Sequence, residues 1–287
     1  MWLAALVILA TSAHAASGQG DLTETDHCTS VKGGKKIFFI KQWHLPPDIN
    51  STNIEKSKSQ PQYQNQFEIF SAISQMIAEK KIDTAIAEGC EGQIDSNFKP
   101  AFNGWTFEKL SKETSEKDYA AIITHPLLKA EAKYPSRLKT LCGDNLAEIK
   151  NAQLALSDMR GDVGYWQRIV ELEKNPAKLK LYLDGVIEMF KLPKDTNAQG
   201  ALLSLKKDMF DSFQKFTLAN QKRNESLVEA IKKSDSDKPI VVVYGGLHTA
   251  DLKSKFESEK WNCEIFEPKS YKNSEEKLIN DFKKLTK

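Results

Sequence analysis

Apolar residues along the chain fall into short runs and longer helical stripes, and the two kinds alternate. "KIFFIKQW", "IDTAIAEG", "SRLKTLCGDN", "KPIVVVYGG" and "WNCEIFEP" have strand length, and turn-forming or charged residues bound them. After the first run, "QFEIFSAISQMIAEKK" sets Phe67, Phe70, Ile73, Met76 and Ile77 at helical spacing. Residues 107 to 131 also read as helix, broken at His125-Pro126, because proline cannot continue the hydrogen-bond ladder. From Leu146 to about Ile231 the pattern is helical and rich in Lys and Glu, with breaks near Pro176, Pro193 and Gly200. A helix from about Ala250 follows the fourth run, and the tail from Ser274 reads as a last helix. Residues 45 to 66 are proline-rich and polar, which predicts a long exposed loop.

Strands alternating with helices predict an α/β fold with a mainly parallel sheet and flanking helices. The stretch of about 146–231 is then a helical insertion between the third and fourth strands of a single domain, 16–287. At the start, "WLAALVILA" is too short to span a bilayer, and "AHA" (Ala13 to Ala15) has the small-x-small form of a cleavage site. Residues 1–15 therefore read as a signal peptide. The mature protein is expected to be exported, periplasmic or secreted, with no stable membrane anchor after cleavage.

A net charge of +2 gives no global reason to expect nucleic acid or an anionic membrane as partner. Export changes the meaning of Cys28, Cys90, Cys142 and Cys263, which contain no C-x-x-C. In an oxidising compartment an even number predicts two disulfides, and three connectivities are open. The coarse strand arrangement favours Cys90 with Cys142, leaving Cys28 to meet Cys263.

Ligands in open α/β sheets sit outside the carboxyl ends of the strands. After the first four apolar runs come His44, Glu88, Asp144 and His248. Parallel strands would bring these ends to one edge. Two imidazoles and one or two carboxylates suit a divalent metal such as Zn, Mn or Fe, or, without metal, a general base with an orienting carboxylate. Gly245 and Gly246 would allow close backbone approach or positive φ beside such a site. Asp144 before "NLAEI" reads as a helix N-cap, and His125 as a structural residue.

Taken in order, "IFFIKQWHLPP", "TAIAEG", the Arg223-Asn224 pair of "QKRNESLVEAI" and "VVVYGGLHTADL" resemble the Tiki/TraB family. That family belongs with the erythromycin-esterase-like and ChaN-like proteins. The resemblance implies metal-dependent hydrolysis of a peptide or ester bond in a peptide or small-molecule substrate. His44, Glu88 and His248 would hold metal or activate water, and Arg223 and Asn224 would position substrate. By analogy with ChaN-like proteins it also offers haem binding, with Tyr244, His44 and His248 as candidate axial ligands. A non-catalytic interaction protein on the same scaffold is the third reading. One departure bears on all three: Lys41 stands where the family pattern G-x-x-H has glycine before the first histidine, and would crowd a metal there or add positive charge.

Overall fold

The computed structural model describes residues 21–44, 59–93, 125–272, 276–277, 279–280 and 282. The expected leader (1–15), most of the expected loop (45–58) and the helical stretch before His125 (107–124) lie outside these residues.

Seven strands form one sheet: β1 (Leu22–His27), β2 (Lys36–Gln42), β3 (Thr84–Ala87), β4 (Glu91–Gln93), β5 (Lys139–Gly143), β6 (Ile240–Gly245) and β7 (Asn262–Pro268). Their order is β1-β7-β2-β6-β3-β5-β4. The five inner strands are parallel and correspond to the five apolar runs. The two edges, β1 on β7 and β4 on β5, are antiparallel. Neither edge strand carries a periodic apolar signal: "LTETDH" lies mostly exposed, and β4 has only three residues.

All six residues of β6 are buried, as expected of a central parallel strand covered on both faces. Alternation then sorts the side chains. Phe38, Ile40, Val241 and Val243 face α1 (Pro61–Ala78) and α2 (Pro126–Lys133). Ile37, Phe39, Val242 and Tyr244 face the other layer, made by α5 (Ala198–Lys232) and α6 (Thr249–Ser258). The result is a helix–sheet–helix sandwich.

Helix α1 begins at Pro61, so the expected loop ends earlier than residue 66. Proline suits this first helical position, where its missing N–H would lack a partner anyway. The polar residues that gave 61–66 its loop character are partly structural. Asn65 Oδ1 accepts from the Trp43 N–H at 2.9 Å, and Gln66 Nε2 donates to the Trp43 carbonyl at 2.7 Å.

The insertion consists of α3 (Leu146–Leu172), α4 (Pro176–Met189) and α5. At 1.5 Å per residue α3 and α5 are roughly 40 and 50 Å long. Gly200 is not a break. It lies in the first turn of α5, where its N–H donates to the capping Asn197 Oδ1 at 2.9 Å. The end of α5 places Leu227, Val228 and Ile231 on the sheet, so the insertion's last helix also closes the core.

Both expected disulfides form, Cys28–Cys263 and Cys90–Cys142. The first joins the end of β1 to β7. The second ties the loop after β3 to β5, reinforced by the Asp144 N–H donating to the Cys90 carbonyl at 3.1 Å. No helix of the described residues is long and apolar enough to cross a membrane.

Burial pushes the Glu131 carboxyl of α2 up to about 7, with its hydrogen bond from Thr140 opposing. A raised folded-state pKa contributes stability that is present below the unfolded value near 4.5 and lost as pH rises through 7. Compared with wild type in urea unfolding, Glu131→Gln should gain stability at pH 8 and little at pH 5, the difference between the two proteins isolating Glu131 from the other buried groups.

Candidate active site

Glu88 follows β3 and lies at the centre of the carboxyl edge. Its Oε2 accepts from the Gly245 N–H at 2.5 Å and stands 3.1 Å from His44 Nε2. Its Oε1 accepts from Arg223 Nη2 and stands 3.6 Å from His248 Nε2. One carboxylate thus separates the two imidazoles, one on each oxygen. The Glu88 side chain is 7% exposed, whereas that of His44 is 41% exposed.

Arg223 reaches this point from α5 and is itself buried. It grips Asp144 with both arms of a fork, Nε to Oδ1 at 2.9 Å and Nη2 to Oδ2 at 2.8 Å, and Nη1 donates to Asn220 Oδ1 at 3.0 Å. Asp144 also accepts from the Gly89 N–H at 3.0 Å. The helix-capping role expected of Asp144 belongs to its neighbour: Asn145 Oδ1 accepts from the N–H groups of Ala147 and Glu148. Gly89 supplies the tight turn after Glu88 with φ +80°, a left-handed conformation that favours glycine.

His248 ends the turn after β6 and is buried. Its Nδ1 is 2.6 Å from Asn224 Oδ1, and Asn224 Nδ2 donates to Asp251 Oδ2 at 2.7 Å. That order leaves the Asn224 oxygen as acceptor, so Nδ1 carries the ring proton and Nε2 turns its lone pair toward Glu88. Asn224 therefore orients an imidazole, through a partner, Asp251, that the sequence pattern did not mark.

The paired glycines have a steric purpose. A methyl at Gly245 would lie 2.9 Å from His44 Nε2 and 3.3 Å from Glu88 Oε2, and one at Gly246 would overlap the Tyr271 hydroxyl. Gly245 has an ordinary φ of −54°, so close approach and not positive φ explains it. Lys41 does not enter the site. Its Nζ donates to Glu267 Oε1 at 2.7 Å and lies over the Tyr271 ring. Tyr244 packs edge-on against His248 at 4.9 Å between ring centres and is fully buried, its hydroxyl on the Gly143 carbonyl side. Its hydroxyl, the atom through which a tyrosine ligates haem iron, is therefore enclosed.

Burial pushes the Glu88 carboxyl up, but His44 and Arg223, with a smaller part from His248, more than reverse this and hold it well below the usual carboxylate range. Burial, and then the Arg223 charge, hold His248 down to about 3, with Glu88 opposing. His125 is held down to about 4 by burial and then by His44, which brings a third imidazole, expected to be only structural, within electrostatic reach of the site. Its flanking "ITHPLL" carries no motif that would have marked it. A cleft of ≈ 710 Å³ lies between β5 and α5, and Asp144 is the site residue among those lining it.

An ion bound at Glu88 would have to share that carboxylate with other groups. Both Glu88 oxygens already accept N–H groups, and the Arg223 guanidinium adjoins the carboxylate an ion would need. Among the described residues no group of three or more His, Cys, Asp or Glu side chains is arranged to hold a metal. No family model matches the chain, and no curated protein or solved structure matches it at a significant level.

Removing Arg223 would strand two buried carboxylates. Arg223→Met should cost about 3–5 kcal/mol in urea unfolding at pH 7, and adding Asp144→Asn should recover part of that loss. Because Glu88 and His248 both have lowered folded-state pKa values, wild-type stability should also fall on acidification, first below about 6.5 for the histidine and then below about 4.5 for the carboxylate.

Proposed function

We propose that the protein is an exported hydrolase of peptide or ester bonds that works without a resident metal, with His44 as general base under the orienting carboxylate of Glu88. The observation that carries this reading is the position of Glu88 between two imidazoles, with Arg223 and the Gly245 N–H holding it in place. Two disulfides fit export to an oxidising compartment. The resemblance to Tiki/TraB proteins supports the hydrolytic chemistry, and the metal is where this proposal departs from it.

Two carboxylates and one guanidinium leave a net charge of −1 facing the imidazoles. The more open His44 takes a proton from water as the water attacks the acyl carbon. The same proton then passes to the departing amine or alkoxide, and the bond to the acyl carbon breaks. Glu88 keeps the ring oriented and stabilises its charged form. His248, neutral and with Nε2 turned to the same side, accepts a hydrogen bond from the attacking water or the substrate. Arg223 has four of its five N–H donors on Glu88, Asp144 and Asn220, so its main part is to position the base.

The test is hydrolysis of a panel of p-nitrophenyl esters and N-acyl peptide anilides by the mature protein, before and after chelation. His44→Ala and Glu88→Gln should each lower kcat/KM by about 10²–10⁴ while the protein stays folded, and chelator should change nothing. Stoichiometric metal that disappears in a His44→Ala/His248→Ala variant would overturn the metal-free mechanism. Unchanged rates in both single variants would overturn the hydrolase reading and favour a binding protein.

A further inference from the structure

Four of the five inner strands deliver a polar side chain to the carboxyl edge: His44 after β2, Glu88 after β3, Asp144 after β5 and His248 after β6. The fifth, β7, delivers Tyr271. Strand β7 runs parallel to β2 and ends at Pro268. The Tyr271 N–H donates to the Pro268 carbonyl at 2.9 Å, so the chain turns at that edge and carries the phenol with it.

Three contacts fix where the phenol stands. Ser270 donates to Glu68 Oε2 through its N–H at 2.9 Å and its hydroxyl at 2.8 Å, which ties the turn to a buried carboxylate of α1. Lys41 Nζ, held by Glu267 at 2.7 Å, lies 5.7 Å from the centre of the Tyr271 ring and attracts its face. The hydroxyl rests on Gly246, where a methyl would overlap both the oxygen and the ring carbon that bears it.

The two glycines therefore clear two polar groups, one each. Gly245 admits the His44 nitrogen, and Gly246 admits the Tyr271 oxygen. Adjacent Cα atoms are about 3.8 Å apart, so these contacts hold the two atoms within about 12 Å of each other. A water on the base, its contact with an acyl carbon and a hydrogen bond to the acyl oxygen together span up to roughly 10 Å. The scales match, and Tyr271 is half-buried, so its side chain is not sealed from a substrate.

The hydrolysis proposed above needs such a group. Attack puts negative charge on the acyl oxygen, and donors aimed at it are usually the largest single contribution to catalysis. The side chains assigned so far supply a base, an orienting carboxylate and a lone pair, with Arg223 turned mainly to the carboxylates.

We propose that Tyr271 is a further catalytic residue of this site, its hydroxyl donating a hydrogen bond to the acyl oxygen as water attacks under His44. The phenol keeps its proton throughout, so it stabilises charge and transfers nothing. The inference rests on the hydrolase reading for the reaction that Tyr271 serves.

Tyr271→Phe removes one oxygen and leaves the ring. On the p-nitrophenyl ester or peptide anilide that the mature protein cleaves best, it should lower kcat by about 10²–10³ and change KM by less than about threefold. The acid limb of the pH–rate profile, set by His44, should stay at its wild-type position, and the urea midpoint should be unchanged. An active wild type with an equally active Tyr271→Phe overturns the proposal and leaves the hydrolase standing. A loss confined to KM, a shifted acid limb or a lowered urea midpoint also overturns it, because the hydroxyl would then serve substrate binding, the base or the fold. A wild type inactive on the whole panel overturns the hydrolase reading itself, and this proposal with it.

Discussion

A guanidinium held between two buried carboxylates is the constraint on which the rest of the edge depends. Arg223 takes Asp144 with a two-pronged grip through Nε and Nη2, and the same Nη2 also donates to Glu88. None of the three is tolerable alone in a place so poorly hydrated, since an unpaired buried charge costs several kcal/mol. Each therefore fixes the others, and they come from three elements far apart in sequence. The long helix α5 has to return to the sheet in one register for its arginine to arrive there, and Leu227, Val228 and Ile231 are the apolar contacts that set that register.

The glycines and the second disulfide serve the same arrangement from the backbone side. Gly245 lets the chain after β6 come close enough for its N–H to bond Glu88, with no methyl between it and His44. Cys90–Cys142 joins the two loops that carry Glu88 and Asp144, each two residues from its cysteine. The carboxylates that share Arg223 are thus covalently linked through their own turns. An orienting carboxylate is effective only if it cannot follow the imidazole it orients, and this edge denies Glu88 that freedom.

Much of this was legible in the residue pattern. The runs of β2, β3 and β6 are buried on both faces and had to read as nearly continuous apolar runs, while those of β5 and β7 keep half-exposed positions between their buried ones, and all five became inner strands. The polar residue ending a run then marked the carboxyl edge, which placed His44, Glu88, Asp144 and His248 together. The edge strands β1 and β4 were not legible, since one open side removes the need for apolar residues. The start of α1 was hidden for a related reason: Asn65 and Gln66 look like loop residues until the Trp43 backbone they bond is seen.

The sequence by itself determined the α/β class, favoured one of three pairings of the four cysteines and brought the polar residues that end the strands to one edge of the sheet, because burial and strand polarity are written in local pattern. Only the tertiary structure decided what each residue does there. Asp144 grips Arg223 while Asn145 caps the helix, Arg223 holds Glu88 instead of facing outward, Lys41 turns to Glu267, and His125 lies within electrostatic reach of His44. Those roles depend on distances between side chains up to 226 residues apart, and hydrogen-bond partners at that range leave no period or spacing in the chain.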